Sequence, residues 1–233
     1  MVSVILCGGD EAGRGAILGP LVISLVSIKK SSMHRLSEIG VRDSKMLSEK
    51  KRSLLFNEIM EIADDVKVDK ILPSEINDAM KSKISLNELE AIRFARLFDT
   101  IEEEVSTLYL DSPDVIPEKF GVRFNLSAQR LTKVVGVKSD SKGPGYTKIV
   151  SEHKADTKYP VVSAASIIAK VTRDREIARI EKLLKMPIGS GYPSDQKTID
   201  MIKANLKSNK LKGHIREYWN TLEHIKQTKL TSF

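Results

Sequence analysis

Cysteine is almost missing from the sequence: Cys7 is the one cysteine in 233 residues, so no disulfide can form within the chain. This usage fits a reducing compartment, and we expect a cytoplasmic protein. No run of about 18 apolar residues occurs, so the sequence predicts no membrane-spanning helix. The apolar N-terminus lacks the basic leader of a signal peptide. The sequence also offers no cluster of cysteine and histidine of the kind that holds zinc.

Charge is what the sequence has in quantity. Charged residues make up 30% of the chain and hydrophobic residues 41%, which is enough apolar material for a core in a soluble protein. The length fits one large domain, or one domain with a small appendix. The formal net charge is +7 and the isoelectric point is about 9.3. This basic balance favours a polyanionic partner such as nucleic acid, although many soluble proteins are basic without one.

One stretch near the N-terminus, residues 7–20, concentrates the unusual residues. It contains two adjacent acids, Asp10 and Glu11, together with Arg14 and five glycines, and apolar runs typical of strands flank it. Adjacent residues of an extended strand point to different sides. We therefore expect a glycine-rich turn, which brings both acids around one ion and lets the backbone approach a phosphate. The alternative is a tight hairpin with polar residues in its turn.

The rest of the sequence alternates between strand and helix patterns. Apolar residues at helical spacing indicate the helices, and short β-branched runs indicate the strands. The predicted strands lie at 2–7, 21–29, 65–71, 107–111 and 133–137, and the predicted helices at 48–63, from 73, and at 86–104, 116–130, 160–184, 195–205 and 214–226. Residues 139–152 are polar and predict a loop.

Two further acids stand beside predicted strand or helix ends. Asp111 ends the strand 107–111, the position at which parallel strands of α/β sheets carry functional groups. Asp156 comes just before the helix that begins near Pro160. Clustered carboxylates repel each other, and Mg²⁺ or Mn²⁺ relieves that repulsion. Two such ions, about 4 Å apart, can activate a water and stabilise the leaving oxygen of a phosphodiester. The sequence alone does not bring acids so far apart into one site.

The motifs resemble those of a known nuclease family. The segment Asp10-Glu11-Ala12-Gly13-Arg14-Gly15, followed by Leu18-Gly19-Pro20, is similar to the signature of ribonuclease HII, the type 2 ribonuclease H. The segment His153-Lys154-Ala155-Asp156 looks like the archaeal form of that family's fourth acid segment, and the run from it to Lys170 is a second specific motif. The likeness covers residues 2 to about 225. It implies an α/β, ribonuclease-H-like fold: a mixed five-stranded sheet flanked by helices, with a C-terminal helical appendix.

The resemblance also implies an activity. It predicts an endonuclease that hydrolyses the RNA strand of RNA–DNA hybrids and cuts 5′ of ribonucleotides embedded in duplex DNA. The implied mechanism uses two metal ions, Mn²⁺ or Mg²⁺, and leaves 3′-hydroxyl and 5′-phosphate ends. By their positions in the motifs, the implied catalytic and metal-binding acids are Asp10, Glu11, Asp111 and Asp156.

Substrate recognition is implied by two motifs. Gly13, Arg14 and Gly15 match the family's Gly-Arg-Gly segment, which contacts the backbone around the ribonucleotide and senses its 2′-hydroxyl, the group that separates RNA from DNA. Tyr192 matches a tyrosine that stacks on the following sugar. The alternative is that Tyr192 packs within its own loop, and Tyr159 is then the rival because it is close to Asp156.

Basic residues elsewhere predict contacts with a nucleic-acid backbone. Ser44 and Lys45 lie in a loop before a predicted helix, where backbone N–H groups favour anions, although an ordinary solvated loop explains them equally well. The C-terminal helices concentrate further positive charge, which indicates a groove for phosphates, whereas each lysine singly fits a solvated face. These residues are Lys197, Lys203, Lys207, Lys210, Lys212 and Arg216.

We expect three segments along the chain. A ribonuclease-H-like catalytic domain spans 1–188, a helical substrate-binding appendix spans 189–226, and a tail spans 227–233. In the tail, Gln227, Leu230 and Phe233 resemble the peptide that binds the sliding clamp (PCNA), with Leu230 and Phe233 three residues apart on one helical turn. The alternative is a frayed terminus.

Two other functions remain open from the residues alone. One is an enzyme of the same fold that acts on all-DNA substrates, such as a junction resolvase, against which the Gly-Arg-Gly motif argues. The other is a non-catalytic nucleic-acid-binding protein, against which the presence of all four acids argues. We expect a monomer with no membrane association.

Overall fold

The computed structural model describes residues 3–41, 48–130, 132–137, 146–206 and 208–230, with side chains described as far as Ile225. The chain forms two compact units. The first unit comprises Met1–Glu11, Ile23–Asp69 and Asn87–Val171, and the second comprises Ala12–Val22, Lys70–Leu86 and Thr172–Phe233. No helix in these described ranges is both long enough and apolar enough to cross a membrane.

A mixed six-stranded sheet carries the fold. Its strands are β1 (Ile5–Ala12), β2 (Leu21–Lys29), β3 (Asp65–Ile71), β4 (Val105–Asp111), β5 (Thr132–Val134) and β6 (Thr147–Glu152), in the order β3-β2-β1-β4-β6-β5. The pairs β1–β4, β4–β6 and β5–β6 are parallel, with Cys7 opposite Leu108 and Asp111 opposite Glu152. The carboxyl ends of β1, β4 and β6 therefore meet at one edge of the sheet, where α/β proteins bind ligands.

Helices connect and cover the strands. They are α1 (Met33–Glu38), α2 (Glu49–Ile62), α3 (Pro73–Lys81), α4 (Leu86–Asp99), α5 (Pro117–Ser127), α6 (Ala155–Lys158), α7 (Pro160–Leu184), α8 (Gln196–Asn205) and α9 (Asn220–Leu230). The predicted start of α2 is confirmed, because the Ser48 hydroxyl accepts a hydrogen bond from the N–H of Lys51 at 3.3 Å. α7 matches its predicted bounds.

Each unit has its own apolar core. In the first unit, Val26 and Ile28 of β2 pack with Leu55 and Ile59 of α2 and with the start of α7. In the second unit, Ile17 and Leu18 pack with the second half of α7 and with α8 and α9. Since β2 is buried on both faces, its sequence is a continuous apolar run rather than an alternating one.

The loop predicted for residues 139–152 is wrong in its last part, and the sheet has six strands rather than five. Residues 138–145 lie outside the described residues, but Thr147–Glu152 forms β6. Its buried positions include Thr147 and Ser151, whose hydroxyls bond to backbone carbonyls of Val105 and Pro117. Polar residues that are satisfied in this way hide the alternation that marks a strand.

The helix predicted at 214–226 also needs correction, because α9 begins at Asn220. The preceding residues bond to a different partner: the N–H of Gly19 donates to the carbonyl of His214 at 2.9 Å, and the N–H of Arg216 donates to that of Ile17 at 3.0 Å. Backbone groups used in this way cannot also form the first turn of a helix.

Candidate active site

The first pair of acids lies in a strand, not in a turn. Asp10 and Glu11 are the sixth and seventh residues of β1, so their side chains leave the backbone on different sides. The expected turn that gathers both carboxylates around one ion is therefore wrong at these two residues. The turn begins only after Ala12, at Gly13. Pairing with β4 carries β1 through the two glycines that indicated a turn, with Gly8 opposite Tyr109 and Gly9 opposite Leu110.

Asp10 is a buried acid, with 5% of its surface exposed. Burial raises the pKa of its carboxyl to about 7, and the negative charge of Asp111 adds to the rise. The nearby Ser166 hydroxyl, a hydrogen bond from the N–H of Glu11 at 2.7 Å and the ammonium group of Lys170 lower the pKa without reversing the shift. The carboxyl is thus poised to gain or lose a proton near neutral pH.

The other two acids come from the end of β4 and from the short helix α6 that follows β6. Asp111 is the last residue of β4, as predicted, and its Oδ1 accepts a hydrogen bond from the N–H of Ala155 at 2.7 Å. That bond joins the end of β4 to the short helix that follows β6. Asp156 lies in that helix and is 4% exposed. Lys154 precedes it in the left-handed region, at φ 55°, which is uncommon for a residue other than glycine.

The donor set can be compared with what a metal ion requires. Within the described ranges, no three His, Cys, Asp or Glu side chains form a group that could hold a metal ion as they stand. The chemistry of the set nevertheless fits a hard divalent cation, because carboxylate oxygens are its preferred ligands. The negative charge of the half-buried Asp111 acts on the buried Asp10, and a cation relieves such repulsion. The chemistry of these carboxylates therefore fits a divalent metal ion.

The Gly-Arg-Gly segment follows in the second unit. Gly13 has φ +91°, and the N–H of Ala16 donates to its carbonyl at 3.1 Å, which closes a tight turn. A Cβ on Gly13 would lie 2.6 Å from Nε of Arg173, so a larger residue clashes there in addition to the strain of its backbone. Arg14 is half-buried and Gly15 is exposed, so this turn presents backbone and one guanidinium group.

Tyr192 stands in a second turn of the same unit. Its ring lies under the guanidinium of Arg173, and the guanidinium carbon is 4.2 Å from the ring centroid. Asp195 holds the turn, because its carboxylate accepts hydrogen bonds from the N–H groups of Ser190 at 2.6 Å and Lys197 at 3.0 Å. These bonds, with that from Ser190 the largest cause, lower the pKa of Asp195 to about 2.

The rival tyrosine has a different role in the structure. Tyr159 belongs to the first unit, where its ring stacks on Tyr109 at a centroid distance of 4.2 Å. Its hydroxyl donates to a carboxylate oxygen of Glu152 at 3.2 Å. Tyr159 is therefore part of the packing of the first unit.

The sequence placed Arg216 in a basic groove that faces solvent, and the structure contradicts this prediction. It is fully buried, at 0% exposure. Its Nη1 donates to the carbonyl of Arg14 at 2.8 Å, while Nε and Nη2 donate to that of Gly19 at 3.2 and 3.1 Å. The guanidinium also lies over the ring of Trp219 at 5.0 Å. Burial lowers the pKa of Arg216 to about 9, and nearby Arg173 contributes to the shift.

Residues 7–222 of the chain match the family model described as Ribonuclease HII. The chain belongs to the ribonuclease HII family. A ribonuclease HII from Thermococcus sibiricus is 39% identical over 223 residues, which cover 95% of this chain and 91% of that protein. The family assigns the chain to the ribonuclease H hydrolases: endonucleases that depend on a divalent metal and act on RNA in RNA–DNA hybrids.

Solved structures agree with this ribonuclease HII assignment. The crystal structure of ribonuclease H2 from Pyrococcus horikoshii superposes with a TM-score of 0.82 at 36% identity, covering 97% of this chain and 98% of that one. A ribonuclease HII from Archaeoglobus fulgidus, solved in complex with PCNA, superposes with a TM-score of 0.77 at 36% identity, covering 93% and 96%. The ribonuclease-H-like α/β fold is therefore confirmed.

Several residues of this ribonuclease HII that the sequence marked cannot be compared with the structure. Ser44, Lys45 and Lys207 lie outside the described residues, as does Phe233. Gln227 and Leu230 belong to α9 by their backbone, but their side chains are not described. The other C-terminal lysines are exposed, which fits both a groove for phosphates and a solvated face: Lys197, Lys203, Lys210 and Lys212.

Sequence reasoning missed the residues that surround the predicted ones. Ser166 and Lys170 act on the charge of Asp10 from α7, and their spacing of four places both on one face of that helix. That spacing was a usable signal. Arg173 carried none, and Arg216 was assigned to the basic groove, because a buried arginine in a basic sequence looks like any other arginine until the fold shows its surroundings.

Proposed function

We propose that this ribonuclease HII cuts duplex DNA on the 5′ side of an embedded ribonucleotide, as well as the RNA strand of hybrids. The observation that carries the proposal is the pair formed by the buried Asp10 and the half-buried Asp111, whose charges repel at the carboxyl edge of parallel strands. Such a pair is costly to fold and becomes useful when a cation occupies it. The reaction leaves a 3′-hydroxyl and a 5′-phosphate.

Asp10, Glu11, Asp111 and Asp156 would hold two divalent ions, Mg²⁺ or Mn²⁺, in the reacting complex. When bound, such ions supply Lewis-acid chemistry, which activates a water and stabilises the leaving oxygen. The chain's own contribution is to hold the acids. The N–H of Ala155 fixes one oxygen of Asp111, and the Ser166 hydroxyl and Lys170 favour the ionised form of Asp10.

Substrate choice would come from the second unit. The backbone of the Gly13–Gly15 turn and the half-buried Arg14 are suited to a sugar-phosphate backbone and its 2′-hydroxyl. The half-buried ring of Tyr192 offers a flat face for the following sugar. No side chain is needed as a covalent nucleophile, because water attacks the phosphorus in line.

The test uses a DNA duplex with one embedded ribonucleotide, incubated with the wild type, Asp111→Asn and Glu58→Gln in Mg²⁺, Mn²⁺ or chelator. We expect metal-dependent cutting 5′ of the ribonucleotide by the wild type and by Glu58→Gln, a change at an exposed helix position, and none by Asp111→Asn. The same duplex without the ribonucleotide should stay intact. Cutting of long hybrid alone would refute the proposed roles of Arg14 and Tyr192, whereas cutting of all-DNA duplex would favour a resolvase-like enzyme.

We also propose that the tail, residues 227–233, binds a sliding clamp. The support is the resemblance of Gln227, Leu230 and Phe233 to a clamp-binding peptide, together with the 36% identical Archaeoglobus fulgidus ribonuclease HII that was solved with PCNA. Deleting 227–233 should abolish binding to immobilised PCNA while cleavage of a short duplex continues. Unchanged affinity after the deletion would refute this proposal and leave the enzymatic one intact.

A further inference from the structure

Two buried arginines lie directly beneath the recognition turns of the second unit. Arg216 is 0% exposed and Arg173 is 3% exposed. Burial deprives both guanidinium groups of hydrating water, which is unfavourable for a charged group, and it lowers the pKa of each. A buried cation of this kind persists only where several groups around it accept its hydrogen bonds. The identity of those acceptors indicates what each arginine does.

Arg216 bonds to two carbonyls that bracket one loop. Its guanidinium reaches Arg14 with one nitrogen and Gly19 with two others, at 2.8 to 3.2 Å. The N–H groups of Ile17 and Leu18, within the same loop, donate to the carbonyl of Gly191 at 2.9 and 3.2 Å. The loop from Gly13 to Gly19 is therefore fastened at both ends by one side chain and in its middle by the Tyr192 turn.

Arg173 fixes the other half of the same surface. Its Nη2 donates to the carbonyl of Ser190 at 2.7 Å, and its guanidinium carbon lies 4.2 Å from the centroid of the Tyr192 ring. Its Nε and Cδ also lie against Gly13, where a Cβ would approach them to 2.6 and 2.7 Å. One planar group thus contacts both the Gly13 turn and the Tyr192 ring.

We propose that Arg173 and Arg216 are positioning residues, which set the Gly13–Gly19 loop and the Tyr192 ring in one fixed geometry and do not bind phosphate themselves. The inference rests on the proposed function in that the loop and the ring are taken to read the ribonucleotide. Because both guanidinium groups are buried, a nucleic-acid backbone does not reach them. Arg216 donates instead to the carbonyls of Arg14 and Gly19, and Arg173 donates to that of Ser190 and lies over the Tyr192 ring. A lysine cannot replace either, because it lacks the planar guanidinium that reaches two carbonyls from Arg216 and that lies on the Tyr192 ring while donating to Ser190 from Arg173.

The first readout is whether the substitutions change kcat or KM. On a single-ribonucleotide duplex, Arg173→Lys and Arg216→Lys should lower kcat by about 10- to 100-fold, because small misplacements of a positioned group have effects of that order. KM should change little, and the slope of log KM against log salt should stay that of the wild type. A residue that binds phosphate behaves differently: its replacement raises KM and reduces the slope by about one. That second pattern would overturn the proposal.

The second readout needs no activity. Hydrogen exchange of the backbone amides at 16–19 should be faster in Arg216→Lys than in the wild type, because the carbonyls at 14 and 19 lose their shared donor. Arg93→Met is the matched control: Arg93 is a largely buried arginine whose Nε and Nη2 bond to Asp69 at 2.6 and 2.8 Å in the first unit. It should lower the melting temperature without changing kcat or the exchange at 16–19.

The two proposals fail in different ways. If the wild type ignores the ribonucleotide, the proposed function falls, while the exchange experiment still decides whether the arginines position the loop. If the wild type cuts as proposed but Arg216→Lys exchanges at wild-type rates and retains its kcat, the positioning role is refuted and the proposed function stands. Should Arg216→Lys not fold, Arg173→Lys carries the same kinetic comparison.

Discussion

Single residues in this protein carry charge in places where water would normally be required. Burial favours the neutral form of each group, so it raises the pKa of Asp10 to about 7 and lowers the pKa of Arg216 to about 9. The two differ in their partners. Arg216 has carbonyls around it, whereas Asp10 has another acid, Asp111, beside it. A buried charge set beside a like charge is typical of a functional position.

The change Asp10→Asn separates function from stability. Cleavage should be lost by several orders of magnitude, because the amide is a poor ligand for a divalent ion. In chelator at pH 8 the wild-type carboxyl is ionised although burial opposes its charge. The variant should therefore be more stable by up to about 4 kcal/mol, since the pKa rises from 3.8 to about 7 and each pKa unit corresponds to about 1.4 kcal/mol. Thermal unfolding measures the difference.

Addition of Mn²⁺ is the control for that experiment. The ion should raise the melting temperature of the wild type more than that of Asp10→Asn, because only the wild type keeps the full set of carboxylates. Glu58→Gln, at an exposed position of α2, should respond to Mn²⁺ as the wild type does. A variant that is less stable than the wild type in chelator would contradict the account of a repulsive pair.

At the scale of elements, the sequence predicts well what is local and periodic. α7 and β4 lie where they were expected, because each has a sustained pattern and a clear end at Pro160 or Asp111. β6 was missed, since its buried Thr147 and Ser151 resemble loop residues. The approach of Asp111 to Asp10 could not be derived, because it depends on β4 lying beside β1 in the sheet, which no local pattern encodes. A single site for all four acids stays a prediction of the family resemblance.

Two adjacent glycines of β1 test how closely α7 approaches the sheet. A Cβ on Gly8 would lie 2.5 Å from the backbone carbon of Val161, in the first turn of α7. A Cβ on Gly9 would instead meet the side-chain ends of Leu110 and Leu25 at 2.7 and 2.8 Å. Side-chain ends can move, whereas a helix backbone cannot move alone. Gly8→Ala should therefore cost about 3 kcal/mol or more, and Gly9→Ala about 1 to 2 kcal/mol.

Denaturant titration of both variants measures these free energies of unfolding. Gly8→Ala should also lower cleavage, since the displaced start of α7 follows directly on α6, the helix that carries Asp156. Equal stability losses for the two changes would show that α7 adjusts as readily as the leucines do, and would contradict a rigid contact at Gly8.

The cap of α8 gives the protein an acid-sensitive element. The pKa of Asp195 falls from its ordinary value of 3.8 to about 2, because hydrogen bonds from Ser190 and Lys197 favour the ionised form. A lowered pKa in the folded state adds stability that is complete above about pH 4 and is lost as the pH falls towards about 2. Asp195→Asn keeps an oxygen acceptor but loses the charge, so it should be less stable than the wild type at pH 7 and equal to it near pH 2.

Melting temperatures between pH 2 and pH 7 check this prediction. Asp200→Asn is the matched control, because Asp200 lies within the same helix and accepts a hydrogen bond from the Gln196 side chain instead of capping the backbone. Its difference from the wild type should not follow the pattern of Asp195→Asn. If the melting temperatures of Asp195→Asn and the wild type differ as much at pH 2 as at pH 7, the charge of Asp195 is not the source of the difference.

At the scale of the whole molecule, the positive net charge of the chain contrasts with the negative charge of its candidate site. The chain has a net charge of +7, yet its candidate site is built of carboxylates. A polyanion would be attracted by the first and repelled by the second unless cations occupy the site. Attraction and discrimination should therefore belong to different residues: exposed lysines for any duplex, and the Gly13 turn with Tyr192 for the ribonucleotide.

That division can be tested by removing positive charge in two matched sets. Changing the exposed Lys197, Lys203, Lys210 and Lys212 to Gln should weaken binding of every duplex alike and reduce the salt dependence by about one unit of slope for each phosphate that the protein no longer neutralises. The preference for a ribonucleotide over all-DNA duplex should remain, because a weakening shared by both substrates cancels in their ratio. The matched set, Lys30, Lys81, Lys83 and Lys119, removes the same charge from other exposed positions and should change the slope far less. If both sets act equally, net charge alone attracts the duplex; if the first set also lowers the ribonucleotide preference, the C-terminal lysines take part in discrimination.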